Sequence, residues 1–111
     1  MLFLFGNTKA NDNFLYKYKI TFKENPLAKI TEASDWIKRF AHTDEVIISD
    51  QGLSVEFKTI YPINANIFTG KMLKVNYALS NIVLQSQSQI SDEARDKIDK
   101  LEHQKQIELI K

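Results

Sequence analysis

Phe14-Leu15-Tyr16-Lys17-Tyr18-Lys19-Ile20-Thr21-Phe22-Lys23 alternates apolar and polar side chains with a period of two. Successive residues of a strand point to opposite sides of a sheet. Phe14, Tyr16, Tyr18, Ile20 and Phe22 therefore share one face, and Lys17, Lys19, Thr21 and Lys23 share the other. Such a segment buries an aromatic side and wets a cationic one, so the chain is built on a sheet with one packed face. Asn25-Pro26 ends the strand, because proline has no N–H to give to a ladder.

Working outward, Ala33, Trp36, Ile37, Phe40 and Ala41 recur at helical spacing, with Thr31 as the expected cap and Glu32 and Asp35 in the opening turns. Val46-Ile47-Ile48 and Leu53–Ile60 flank Asp50-Gln51-Gly52, which predicts a hairpin closed by a type I turn and a left-handed glycine. Asn64-Ala65-Asn66 reads as loop and Gly70 as a turn. Met72–Leu79 alternates again, with Leu73, Val75, Tyr77 and Leu79 on one side, which predicts another strand. Ser80-Asn81 marks a tight turn or bulge before Ile82-Val83-Leu84, and the Gln85–Gln89 tract is a strand end or a linker. Ser91 caps a terminal helix whose stripe is Ala94, Ile98 and Leu101. Met1–Phe5 reads as a short buried strand and residues 6 to 13 as a polar loop.

These elements predict an α+β fold. The sheet is mostly antiparallel, with five or six strands curled toward a small open barrel, one packed helix and a C-terminal helix. Residues 1–89 form the domain, and 90–111 pack on it or serve association. The expected core holds Phe14, Tyr16, Tyr18, Ile20, Phe22, Trp36, Ile37, Phe40, Ile48, Leu53, Val55, Phe57, Val75, Tyr77 and Leu79.

A chain of 111 residues suits one domain that needs no covalent staple, and 43% apolar residues argue against intrinsic disorder. No cysteine is present, which excludes disulfides, thiolate nucleophiles and cysteine-held zinc. The apolar start is too short for a signal peptide, and no run reaches a membrane span. The expectation is a cytoplasmic protein without a membrane partner.

His42 and His103 are far apart, and His42 beside Asp44 and Glu45 matches no metal-ligand spacing. Gly6, Gly52 and Gly70 are isolated, so no phosphate-cradling loop exists. No serine has a nucleophile-elbow context. The chain reads as a non-enzymatic protein without cofactor or metal.

The net charge of +1 hides an uneven layout. Lys9, Lys17, Lys19, Lys23 and Lys29 dominate residues 1–30. An acidic segment follows, with Glu32, Asp35, Asp44, Glu45, Asp50 and Glu56. Residues 57–89 hold Lys58, Lys71 and Lys74 and no acid. If the two basic segments are neighbours in the sheet, Lys17, Lys19, Lys23, Lys58, Lys71 and Lys74 form one positive surface. Clustered cations of that kind hold phosphates. Lysine on the wet side of a strand also protects edges and keeps a protein soluble.

The runs EFKTIYPINANIF (56–68) and KVNYALSNIVL (74–84) carry a family resemblance. Tyr61-Pro62, the tyrosine-centred Val75-Asn76-Tyr77-Ala78 and the ending Asn81-Ile82-Val83-Leu84 resemble the closing strands of small accessory proteins of Gram-positive conjugative plasmids and integrative elements. The PrgU-type members of that group imply a compact PUA-like β-barrel. They also imply regulation through RNA contact, including restraint of surface-adhesin production. The resemblance transfers no site residue. The lysine-rich composition suits an AT-rich host or its phages.

Two functions follow as expectations. One is a regulator of a mobile element that binds nucleic acid, RNA first, through the six lysines. The other is a phage- or plasmid-encoded inhibitor or adaptor that binds a host protein. In either case the chain is a monomer, or a homodimer through its C-terminal helix.

Overall fold

The computed structural model of the chain describes residues 13–109, with side chains through Leu101. The element order is β1 (Phe14–Phe22), a 3-10 turn (Leu27–Lys29), α1 (Ile30–Ala41), β2 (Val46–Ser49), β3 (Ser54–Thr59), α2 (Ala65–Lys74), β4 (Leu79–Gln89) and α3 (Asp92–Leu109). The sheet is antiparallel throughout, in the order β2-β3-β1-β4. Met1–Phe5 and residues 6–12, expected as strand and loop, lie outside the described residues.

β1 forms where its alternation predicts and takes a central place. Tyr18, Ile20 and Phe22 are buried, and Phe14 and Tyr16 are half-buried toward one end. Opposite them, Phe57 pairs with Tyr18 and Val55 with Ile20, so the two strands send their apolar residues to one side. α1 covers that side with Ala33, Ile37 and Ala41 buried, while Trp36 stacks on Phe40 at its margin. Burying a side chain such as Ile20 or Phe22 contributes about 1.5–3 kcal/mol each.

The start of α1 differs from expectation. Thr31 does not cap it. The chain enters through the 3-10 turn, and Asn25 Oδ1 accepts the Leu27 N–H at 2.8 Å. Asn25 therefore closes the turn that its proline neighbour begins. The helix ends on His42 in a left-handed conformation (φ 55°), with its N–H bonded to Lys38 O. Thr43 and Thr59 tie this end to the sheet. Thr43 Oγ1 donates to Lys58 O at 2.7 Å, and Thr59 Oγ1 donates to Ala41 O at 2.8 Å.

The hairpin β2–β3 is present, but its turn is of the opposite hand. Asp50 (φ 52°) and Gln51 (φ 57°) are both left-handed, and Gly52 follows at φ 97°. Two consecutive positive φ values match the right-handed twist of the strands they join. Leu53 lies outside β3 and is half-buried. Ile48, expected in the core, is 50% exposed, because β2 is a short edge strand beyond the helical cover.

The largest correction concerns residues 64–79. Met72–Leu79 is not a strand, and Gly70 is not a turn: Ala65–Lys74 is α2. Asn64 caps it, its Oδ1 accepting the Ile67 N–H at 3.1 Å. Phe68 and Met72, one turn apart, are buried against Phe57 and Phe40, and Val75 follows on the same side. Asn76 (φ 75°) then stops the helix in a left-handed cap, and Tyr77 N donates to Met72 O at 2.9 Å. Two helices, not one, thus pack on the sheet.

β4 runs without a break from Leu79 to Gln89 along β1. Its register slips by one residue at Ser80 and at Gln85, so the Ser80-Asn81 feature is a bulge. The Gln-Ser tract is strand, not linker. Among the described residues the sheet has four strands and is not closed into a barrel. α3 begins as expected on Ser91, whose Oγ accepts the Ala94 N–H at 3.0 Å. It is fastened to the rest of the molecule by Asn13 donating to Asp92 and by the Tyr61 hydroxyl donating to Asp99.

A candidate binding groove on the open face of the sheet

Among the described residues the helices α1 and α2 occupy one face of the sheet; the other face carries the more polar residues, with Ser54 buried there. Ladder registers assign its residues: Leu15, Lys17, Lys19 and Thr21 from β1, Ser54, Glu56 and Lys58 from β3, Ile47 and Ser49 from β2, and Asn81, Val83, Ser86 and Ser88 from β4. Lys17, Lys19 and Lys58 are therefore brought together, as the alternation predicts. The other candidate lysines are not with them. Lys23 lies past the end of β1 and is exposed. Lys71 and Lys74 sit on α2, across the sheet, and the Lys71 ammonium lies 5.7 Å above the Phe40 ring.

The charges on the open face are of both signs. Lys17 Nζ is 3.3 Å from Glu56 Oε1, and Lys19 Nζ is 2.9 Å from Asp50 Oδ2. The bond from Asp50 raises the Lys19 pKa above its ordinary value. The same bond from Lys19, then one from Ser54, lowers that of Asp50. These two ammonium groups are already compensated within the fold. Lys58, opposite Lys17 in the ladder, is exposed.

At the α3 end of this face lies a groove of about 360 Å³. Its apolar lining includes Leu15, Ile47 and Ile98, and Lys58, Asp44 and Glu45 stand along it with the Lys17–Glu56 ion pair. Four separate elements build it: β1, β2 with the loop before it, β3, and α3. Ile47 is 56% exposed. Asp44 and Glu45 belong to the acidic segment singled out in the sequence, and the groove places them beside a basic residue from the next segment. Sequence reasoning missed Leu15, Ile47 and Ile98 as groove residues. The signal at Leu15 was an apolar side chain on the polar phase of the alternation, and Ile98 showed only as part of the α3 stripe.

One polar pair with a buried tyrosine lies elsewhere. Tyr77 donates from its hydroxyl to Glu32 on α1, and burial, followed by that bond, pushes its pKa up to about 12. The pair joins the end of α2 to α1 and has no part in the groove.

Among the described residues, no three His, Cys, Asp or Glu side chains are gathered closely enough to hold a metal ion. No described helix is long and apolar enough to cross a membrane. No family model matches the chain, and no curated protein or solved structure is significantly similar to it.

Proposed function

We propose that this chain is a non-enzymatic interaction protein, an inhibitor or adaptor that binds a polypeptide along the open-face groove. The observation that carries this reading is the mixed character of that groove: an apolar strip of Leu15, Ile47 and Ile98 beside Lys58 and the pair Asp44 and Glu45. Protein surfaces are recognised by such combinations of apolar anchors with charges of both signs. A phosphate backbone instead demands a field of uncompensated cations. Here Lys17 and Lys19 are engaged by Glu56 and Asp50, and Lys71 and Lys74 face away on α2. The fitting ligand is a segment with an apolar residue for Ile47 and Ile98, an acid for Lys58 and a base for Asp44 and Glu45.

The test compares the full chain with Ile47→Glu and Lys58→Glu variants as baits in host lysate, with and without nuclease. The reading expects a polypeptide retained after nuclease treatment and lost from both variants. Should the retained material disappear with nuclease and with the Lys17→Glu/Lys19→Glu double variant instead, the RNA-binding regulator becomes the better account.

A further inference from the structure

We infer that a polypeptide docks by adding an antiparallel strand to the outer edge of β2, with apolar residues beside Ile47 and Ile48 and a basic residue against Asp44 and Glu45. The inference rests on the reading of this protein as a polypeptide binder and adds how the polypeptide is held.

The hydrogen-bond phase of the sheet shows which backbone groups this edge offers. Phe22 N donates to Leu53 O at 2.9 Å, which makes Phe22–Leu53 a bonded position in the β1–β3 register. Bonded and non-bonded positions alternate along an antiparallel ladder. Val55 and Phe57 therefore turn their backbone groups toward β1, and Ser54 and Glu56 turn theirs toward β2. Lys58 keeps the same phase, its O accepting from Thr43 Oγ1 in the segment before β2 at 2.7 Å. Ser49 and Ile47, opposite Ser54 and Glu56, bond inward, so the N–H and C=O of Val46 and Ile48 point outward. Among the described residues no hydrogen bond reaches those outward groups.

An edge of this kind is a template for another strand. The sheet is antiparallel throughout, and antiparallel pairing is the more stable per residue. Ile47 and Ile48 lie on opposite faces and are 56% and 50% exposed. A strand laid along β2 brings one of its own side chains beside each of them. With 4 residues β2 makes few backbone bonds, so side-chain anchors supply the rest of the affinity and set the specificity.

Charge identifies the occupant. A second copy of this chain, paired so that each Val46 bonds an Ile48, would set each Asp44 against an Asp50. Like charges directly opposite destabilise a sheet. Acids flank the strand at both ends, Asp44 and Glu45 before it and Asp50 after it. Among the described residues Asp44 and Glu45 have no ion-pair partner. The segment that fits is therefore extended, apolar in its middle and basic at its ends.

The probe is the acetylated and amidated peptide Lys-Thr-Val-Val-Val-Thr-Lys, titrated calorimetrically into the full chain. Its lysines fall against Asp44 and Asp50. Binding should weaken at least about tenfold when both peptide lysines become glutamate. Ile48→Pro, which removes one outward N–H and is tolerated on such an edge, should weaken it by a similar factor, whereas Ile48→Ala should stay within about threefold of the parent. Circular dichroism checks that the variants fold. A change in the probe repeats the test on the unaltered protein: N-methylation of its first and third valines should abolish binding, and of its middle valine should not. No binding at about 1 mM peptide, or binding indifferent to Ile48→Pro and to the position of the methyl groups, overturns the inference. The groove reading is judged separately. A polypeptide retained from lysate by Ile48→Pro but lost from Ile47→Glu overturns strand addition and leaves the groove standing; a parent that retains none overturns the groove, and the peptide titration still decides the edge.

Discussion

Lys17 stands directly opposite Lys58 in the β1–β3 ladder, yet its ammonium reaches diagonally to Glu56, 3.3 Å away. Like charges placed directly across a sheet destabilise it. Glu56 relieves Lys17 of that repulsion and leaves Lys58 exposed beside the groove. Lys58 is thus a residue that the fold tolerates rather than needs.

Replacing Lys58 by Thr should raise stability by roughly 0.2–1 kcal/mol, since the cross-strand repulsion is removed and a good strand former is introduced. Urea denaturation gives the change. Under the proposed function the same variant should also retain less polypeptide than the parent in the lysate test. A loss of stability would show that Lys58 supports the fold instead.

Two glycines should respond in opposite directions. A Cβ on Gly70, inside α2, would meet nothing within 4 Å. Gly70→Ala should therefore stabilise by about 0.5–1 kcal/mol through helix propensity. Gly52 has φ +97°, and its Cβ would lie 3.1 Å from Asn25 Oδ1. Gly52→Ala should destabilise by about 1 kcal/mol or more. Thermal melts of the pair test the helical assignment of residues 65–74, because alanine at a turn glycine would not stabilise.

Thr59 is buried, donates to Ala41 O and accepts the Tyr61 N–H at 3.2 Å. Thr59→Val keeps the shape and strands both backbone partners. The expected cost is about 1–3 kcal/mol. Thr21→Val, which loses only the 3.1 Å contact with Ser54 on the open face, should cost less.

At high pH the molecule should weaken through Tyr77. Its pKa is raised to about 12 from an ordinary 10.0, so the fold holds this proton more tightly than the unfolded chain does. Stability from this group is intact below the unfolded value and is lost as pH rises from there through the folded value. Spectroscopic titration should show a tyrosine ionising late, in step with unfolding, and Tyr77→Phe should remove that late step. The absence of a late step in the parent would contradict the burial of Tyr77 and its pairing with Glu32.

Much of the fold was legible in the residues because burial enforces periodicity. β1 must alternate when one face is dry, α1 must repeat Ala33, Ile37 and Ala41 at helical spacing, and Ser91 announces α3. α2 was missed because the residues from its second half into β4 satisfy two periods at once. Leu73, Val75, Tyr77 and Leu79 alternate as a strand would, whereas Phe68, Met72 and Val75 repeat as a helix does. The deciding marks were local and easily passed over: Asn64 as a cap and Asn76 as a stop.

The candidate site was legible only in part. Alternation alone put Lys17 and Lys19 on the wet face. Nothing local could show that Glu56 and Asp50 would meet them, nor that Lys71 would end on the opposite side. The sequence by itself determined which face of the sheet each β1 and β3 residue takes, because that choice follows from the next residue along the chain. The tertiary structure alone decided which strand lies beside which and which charges cancel. Those are contacts between distant residues, set by register and strand order, and neighbours in sequence carry no record of them.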